Sequence, residues 1–286
     1  MSKARIAFRF GHYGDTFHGS QVQPDVPTVQ GAFMHVFKKK LKWTNERMPV
    51  AMASRTDAGV HVRLNGGFID IDEKQWDPMG AAGFIKAVGH QLPDSIALFD
   101  AFRVADDWSP RRALRRTYRY RMECMEGWSE PDHTQFSEWC SLFTGEHDWA
   151  NFARREPGRT TRRVVESCSP WISDGRIVGF EIVGEAFVWN QVRRIANALL
   201  ALVTGYRSVE RVIEARDTPE IEIDLGLAEP DWLILWSVEW EGIPEIKTPE
   251  ISVPLPEQES RRWQDICRAQ QKEILIREFD LIEGEY

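Results

Sequence analysis

The chain has 286 residues, enough to bury a substantial apolar core as one large domain or two ordinary ones. Its apolar content is ordinary for a globular protein, which excludes disordered and fibrous classes, and no run of about 18 apolar residues offers a membrane span. A formal net charge of −8 sets a first expectation against a nucleic-acid partner, but distribution matters more than the sum.

Residues 103–121 contain seven arginines, Arg103, Arg111, Arg112, Arg115, Arg116, Arg119 and Arg121, against Asp106 and Asp107, with no lysine. A second group, Arg154, Arg155, Arg159, Arg162 and Arg163, is interrupted only by Glu156 among acids, whereas the last 46 residues hold eleven acids against six bases. The planar guanidinium fork suits bidentate phosphate contacts and stacking on bases, so an arginine stripe on an acidic body fits RNA. It equally fits a solvated face balanced by acidic neighbours, and composition leaves both open. The cysteines Cys124, Cys140, Cys168 and Cys267 are widely spaced without a C-x-x-C pair. That spacing argues against zinc and against a disulfide framework, and fits a reducing compartment. The N-terminal stretch lacks a signal peptide's apolar core, so a cytoplasmic protein without membrane attachment is expected.

In chain order, Ile6, Phe8 and Phe10 alternate with smaller or charged residues, predicting a half-buried strand over residues 3–10. A Gly-rich polar loop follows from Tyr13 to Pro24. Thr28 is placed to cap a helix through about Lys42, whose stripe of Val29, Phe33, Val36, Phe37 and Leu41 is core. The stretch from Ala53 to Asn65 sets Asp57 two residues after Arg55 and two before Gly59. A short strand entering from Val50 and then a tight turn would present Asp57 at an exposed tip, with Arg55 on the same face. Such a pair is equipped for nucleophilic or base chemistry, or is a surface turn capped by its own Asp. Strands are predicted over 67–72 and 96–104, with a Gly-weakened helix from Pro78 to Leu92 between them.

Arg115 to Cys124 alternates cleanly, with Tyr118, Tyr120, Met122 and Cys124 on one face. These read as core, unless one tyrosine stands where the sheet meets a cleft and lies against a base. Leu142 to Arg154 is predicted to open a short helix, with His147 in its first turn. Val164–Trp171 and Arg176–Gly184 read as a hairpin around Ser173, Asp174 and Gly175. The strongest helix runs from Glu185 to Gly205 on a stripe of Val188, Val192, Ile195, Leu199 and Leu202, leaving Arg193 and Arg194 off it. A core strand within 225–240 is predicted to present Trp232, Ile234, Trp236, Val238 and Trp240 on one face. Pro244, Pro249, Pro254 and Pro256 then mark a linker to an acidic amphipathic helix over about 257–277.

Several stretches resemble one family. R-T-D-A-G-V-H, Arg55 to His61, resembles the signature of the TruA family of tRNA pseudouridine synthases, with Ser54 where that family usually has Gly. Tyr13 to Pro24 is similar to the family's segment after its first strand, with Ser20 replacing its usual Trp. R-R-T-Y-R-Y resembles its R-x-Y-x-Y strand, although the preceding W-S-P-R-R-A-L departs from its F-H-A-R. L-F-T-G-E-H-D-W-A-N-F is similar to L-x-G-x-H-D-F-x-x-F, F-V-W-N-Q-V-R-R to F-L-x-H-M-V-R-N, and residues 226–240 to its closing strand. The likeness spans about residues 5–240 with its motifs in order.

The resemblance implies an α+β fold: two similar α/β subdomains, over 1–104 and 105–241, whose antiparallel and mixed sheets join, flanked by helices, with a cleft between them. Residues 242–286 fall beyond it. It implies an isomerase that turns uridine into pseudouridine in the anticodon stem-loop of tRNAs, acting as a homodimer without metal or organic cofactor. Asp57 maps to the catalytic residue, Arg193 to the functional arginine and Tyr118 to the tyrosine that contacts the target nucleotide. Arg55 joins Arg193 as support, and Arg111, Arg112, Arg115, Arg116 and Arg194 form the expected tRNA footprint. Two other readings stand beside it: a non-catalytic tRNA-binding or remodelling protein on the same fold, and a metal-dependent hydrolase using Asp57 with His61.

Overall fold

The computed structural model describes residues 2–246 and 263–283, which fall into two units divided after Ile243. Pro249, Pro254, Pro256 and the predicted helix start near 257 lie outside the described residues. In the first unit, strand β1 (Lys3–His12) pairs antiparallel with β3 (His61–Asp72) on one side and β4 (Ile96–Val104) on the other, and a two-residue β2 (Ala51–Met52) adds to β3. β3 begins six residues before the predicted Gly67, because Asn65 and Val62 continue the ladder opposite Phe10 and His12 through a bulge.

Beyond β3 the sheet continues through β9 (Leu233–Glu239), β5 (Arg115–Arg121), β8 (Arg176–Gly184), β7 (Arg162–Ser173) and β6 (Gly145–Asp148), nine strands in all. The two halves meet where β3 runs parallel to β9, with His61 opposite Ile234 and Val62 opposite Leu235; the other pairings are antiparallel. Cross-strand partners share a face. The apolar face therefore passes unbroken from His12 and Val62 to Leu235, Tyr118 and Ile182.

Two apolar cores lie along that face. The first joins β1 to α1 (Val29–His35), a π-helical turn (Val36–Lys40) and α2 (Glu73–Gly89), with Phe8, Phe33, Phe37 and Phe84 meeting ring to ring. Each buried phenyl of this kind contributes about 2–3 kcal/mol. Thr28 caps α1 as predicted, its hydroxyl accepting from the Gly31 amide. α2 starts earlier than predicted, with Asp72 as its cap, and breaks at Gly80, whose φ is +57°. The second core gathers β5, β8, β9, α3 (His133–Ser141), α4 (Gln191–Val203) and α5 (Val209–Asp217), and takes in Ala53, Val60 and Val62 from the other half. The loop carrying Asp57 is thus anchored in the core of the opposite half.

Four sequence expectations are corrected here. Leu142–Arg154 opens no α-helix: α3 precedes it, and His147 lies in β6 opposite Arg163, because Gly145 at φ +110° turns the chain into a strand. α4 begins at Gln191, not Glu185, since Asn190 takes a left-handed conformation at φ +69°. β5 ends at Arg121, leaving Cys124 exposed in the turn beyond it. On and beside β9 the buried residues are Leu233, Leu235, Val238 and, just past its end, Trp240, while Trp232 before it is exposed and Ile234 and Trp236 are half-buried. A bulge opposite Thr117 and Tyr118 shifts the alternation by one residue, which period-two counting cannot foresee. In the second unit, α6 spans Trp263–Glu283 with Ile274, Leu275, Ile276 and Phe279 exposed.

Candidate active site

Asp57 sits in the segment between β2 and β3, and buried polar contacts fix that segment residue by residue. Asn65, fully buried, donates its Nδ2 to the Ser54 carbonyl (3.0 Å) and accepts from the Ser54 amide (3.2 Å). Ser20 brackets the next turn: its amide donates to the Thr56 carbonyl (3.0 Å), and its hydroxyl accepts from the Thr56 amide (2.8 Å). A serine where the resembling family has tryptophan is therefore a hydrogen-bonded clamp on the Asp57 loop. The Val60 amide closes the turn onto the Asp57 carbonyl (3.3 Å), and Gly59 adopts φ +85° against Pro230. Beneath it the Gly14 amide donates to His61 Nδ1 at 3.2 Å.

The Asp57 carboxylate, about a third exposed, is held by two donors from the loop before α4 and the first turn of α4. Arg193 Nη1 donates to Oδ2 at 3.2 Å and Trp189 Nε1 donates to Oδ1 at 3.1 Å. Arg193 is itself fixed by Nε to the Ala228 carbonyl (2.7 Å) and by Nη1 to Asn190 Oδ1 (3.4 Å), and its side chain is mostly buried. Arg55 plays no part in this. It is exposed and has no side-chain partner among the described residues. The shared-face expectation fails because β2 ends at Met52, so residues 55 and 57 are not in a strand.

Tyr118 lies under Phe187 in an edge-to-face contact (5.2 Å between centroids), close enough to feel the Asp57 charge. Burial pushes its hydroxyl above the ordinary tyrosine range, against the opposing pull of the Arg116 charge and a hydrogen bond with Ser54. At neutral pH Tyr118 keeps its proton.

The arginine stripe is largely neutralised. Arg103 pairs with Glu73, Arg112 with Asp107, Arg115 with Glu166 and Glu239, Arg119 with Glu181, and Arg194 with Asp224. Arg111 keeps an exposed side chain without a partner among the described residues. Arg116, expected in an RNA footprint, is instead a buried strut. Its guanidinium donates to Ser54 Oγ (3.0 Å) and to the carbonyls of Ala53 (3.3 Å), Arg111 (3.3 Å) and Glu185. The alternation of β5 turned it inward, where carbonyls rather than phosphates take up its donors.

A sequence model of the family described as tRNA pseudouridine synthase matches residues 140–241. Over 84% of its length the chain is 33% identical to a tRNA pseudouridine synthase A of Methanoculleus marisnigri, covering 83% of that protein. It is 34% identical to one of Thermococcus kodakarensis and 31% identical to one of Archaeoglobus fulgidus, each over 84% of this chain, covering 86% and 84% of those proteins. The chain belongs to the tRNA pseudouridine synthase A family. As a member of that family it is an isomerase, and the joined mixed sheet flanked by helices is the fold that the motif order implied. Sequence reading missed Trp189, Asn65, Gly14 and the role of Ser20. Trp189 stands where the resembling motif F-L-x-H-M-V-R-N specifies no residue, so nothing in that motif marks it.

Proposed function

We propose that this chain converts uridine to pseudouridine in tRNA, with Asp57 as the catalytic residue. Supporting this is one observation above the rest: the partly exposed Asp57 carboxylate is gripped on both oxygens by Trp189 and Arg193, beside the buried Tyr118. The reaction breaks the C1'–N1 bond of uridine and rejoins the same base through C5. The proton leaves C5 and N1 ends protonated, so no atom is gained or lost. A fixed carboxylate can add to C1' or to C6, and a flipped-out nucleotide brings either carbon within reach. Arg193 supplies the counter-charge, and Tyr118, with its proton retained, can lie against the base and donate a hydrogen bond.

The substrate is the anticodon stem-loop, chosen by RNA shape and phosphate contacts rather than by base edges. Exposed cations, Arg55 two residues from Asp57 and Arg111 among them, are available for phosphates. The reading extends to a homodimer in the cytoplasm, supported by the family resemblance. Among the described residues no helix is long and apolar enough to cross a membrane. Incubating the protein with an unmodified tRNA transcript and digesting to nucleosides tests the activity: pseudouridine appears with the wild type and not with Asp57→Asn. Light scattering at twice the chain mass tests the dimer.

A further inference from the structure

We propose that Trp189 is a positioning residue of this reaction, buttressed by Arg154, and that its indole N–H sets the rotation of the Asp57 carboxylate. The inference rests on the assignment of Asp57 made above. A carboxylate bonded through one oxygen alone turns easily about Cβ–Cγ, because that torsion is broad and two-fold. Arg193 holds Oδ2 and Trp189 holds Oδ1, at 3.2 and 3.1 Å, from different points of the segment that enters α4. Together they leave one orientation, with the remaining lone pairs directed toward the open side. Indole is well suited to this role, since it donates a hydrogen bond and cannot accept one or take up the carboxylate's proton.

Trp189 is placed by backbone and side chain alike. Asn190, left-handed at φ +69°, turns the chain so that residue 189 faces Asp57. The Arg154 amide donates to the Trp189 carbonyl at 2.8 Å, and the Arg154 guanidinium lies 4.1 Å from the centroid of the ring. The indole stays 41% exposed, and its N–H makes its one hydrogen bond to Asp57. The arrangement also gives Arg154 a duty other than touching phosphate: it braces Trp189, which braces Asp57.

Trp189→Phe keeps a ring beneath Arg154 and deletes the N–H. We expect kcat on tRNA transcript to fall about tenfold or more, the scale of one hydrogen bond to a charged group, with KM and tRNA Kd within about threefold. Trp189→His, which restores a donor, should recover part of kcat, and Arg154→Ala should lower it several-fold. In a 15N-indole spectrum, the resonance that disappears in Trp189→Phe should shift in Asp57→Ala. Wild-type kcat in Trp189→Phe, equal losses of kcat and tRNA affinity, or an indole resonance unmoved by Asp57→Ala would each overturn the proposal. A wild type that makes no pseudouridine overturns the functional reading instead, and the spectrum still decides whether Trp189 holds Asp57.

Discussion

Replacing Arg116 with alanine separates a strut from an RNA contact. Arg116 is 9% exposed, and its guanidinium donates to the Ala53, Arg111 and Glu185 carbonyls and to the Ser54 hydroxyl. Truncation leaves those four acceptors without that donor in a largely buried site. At about 1 kcal/mol for each lost bond, near the low end because some water will enter, the loss is about 4 kcal/mol. Part is returned, since burial already disfavours the charged side chain and pulls its pKa below the ordinary arginine value. A net loss of about 3 kcal/mol, at about 2–4 °C per kcal/mol for a unit of this size, lowers Tm by about 10 °C. Ala53 and Ser54 lead directly into the Asp57 loop, so kcat should fall about a hundredfold as the carboxylate drifts by about an ångström. Calorimetry and single-turnover assays on tRNA transcript read both. A Tm within about 2 °C of wild type, with weaker and less salt-dependent tRNA binding, would refute the strut and restore the phosphate contact.

Asp57→Ala should abolish pseudouridine formation while tRNA Kd stays within about tenfold, because the carboxylate acts on the transition state rather than in docking; residual turnover at a few per cent of wild type speaks against its role. Gly14→Ala places a methyl group inside contact distance of the Gly59 carbonyl and the Val60 backbone, neither of which can yield without moving the Asp57 turn. The expected cost is a few kcal/mol of stability and a lower kcat, read by urea titration and kinetics. His12 is buried, and that burial lowers its pKa from 6.5 to about 4. Between those two values the unfolded chain binds a proton that the folded chain refuses, so stability falls as pH drops from 6.5 towards 4, by about 3 kcal/mol at most, and is unaffected by this group above 6.5. Urea titrations at several pH values should show that slope, and His12→Asn should flatten it.

Local regularities carried much of the architecture. Two-residue alternation located β1, and β5 apart from its end; β4, β7 and β8 fall close to where they were expected, and the Asp174–Gly175 turn between the last two is where turn chemistry put it. Helical spacing and the Thr28 cap located α1, and the stripe from Val192 to Leu202 located α4 apart from its start. Errors came where one residue with unusual backbone overrode a pattern: Asn190 at the head of α4, Gly145 before β6, and the bulge on β9. α5, short and polar on most of its surface, was not anticipated at all.

The acidic residue at the centre of the proposed chemistry was singled out by the resemblance of the short contiguous motif R-T-D-A-G-V-H, whereas the residues alone equally fitted a capped surface turn. Its two donors could not be read together from spacing, since Trp189 and Arg193 lie 132 and 136 residues away and reach it only after β3 pairs with β9. The same holds for Arg116 and Arg55. A charge count treats every arginine alike, whereas strand register sends one guanidinium into a ring of carbonyls and leaves the other in water. Candidate motifs are written along the chain; which of their residues touch is settled when distant segments close on one another, at an entropic cost that no local pattern encodes.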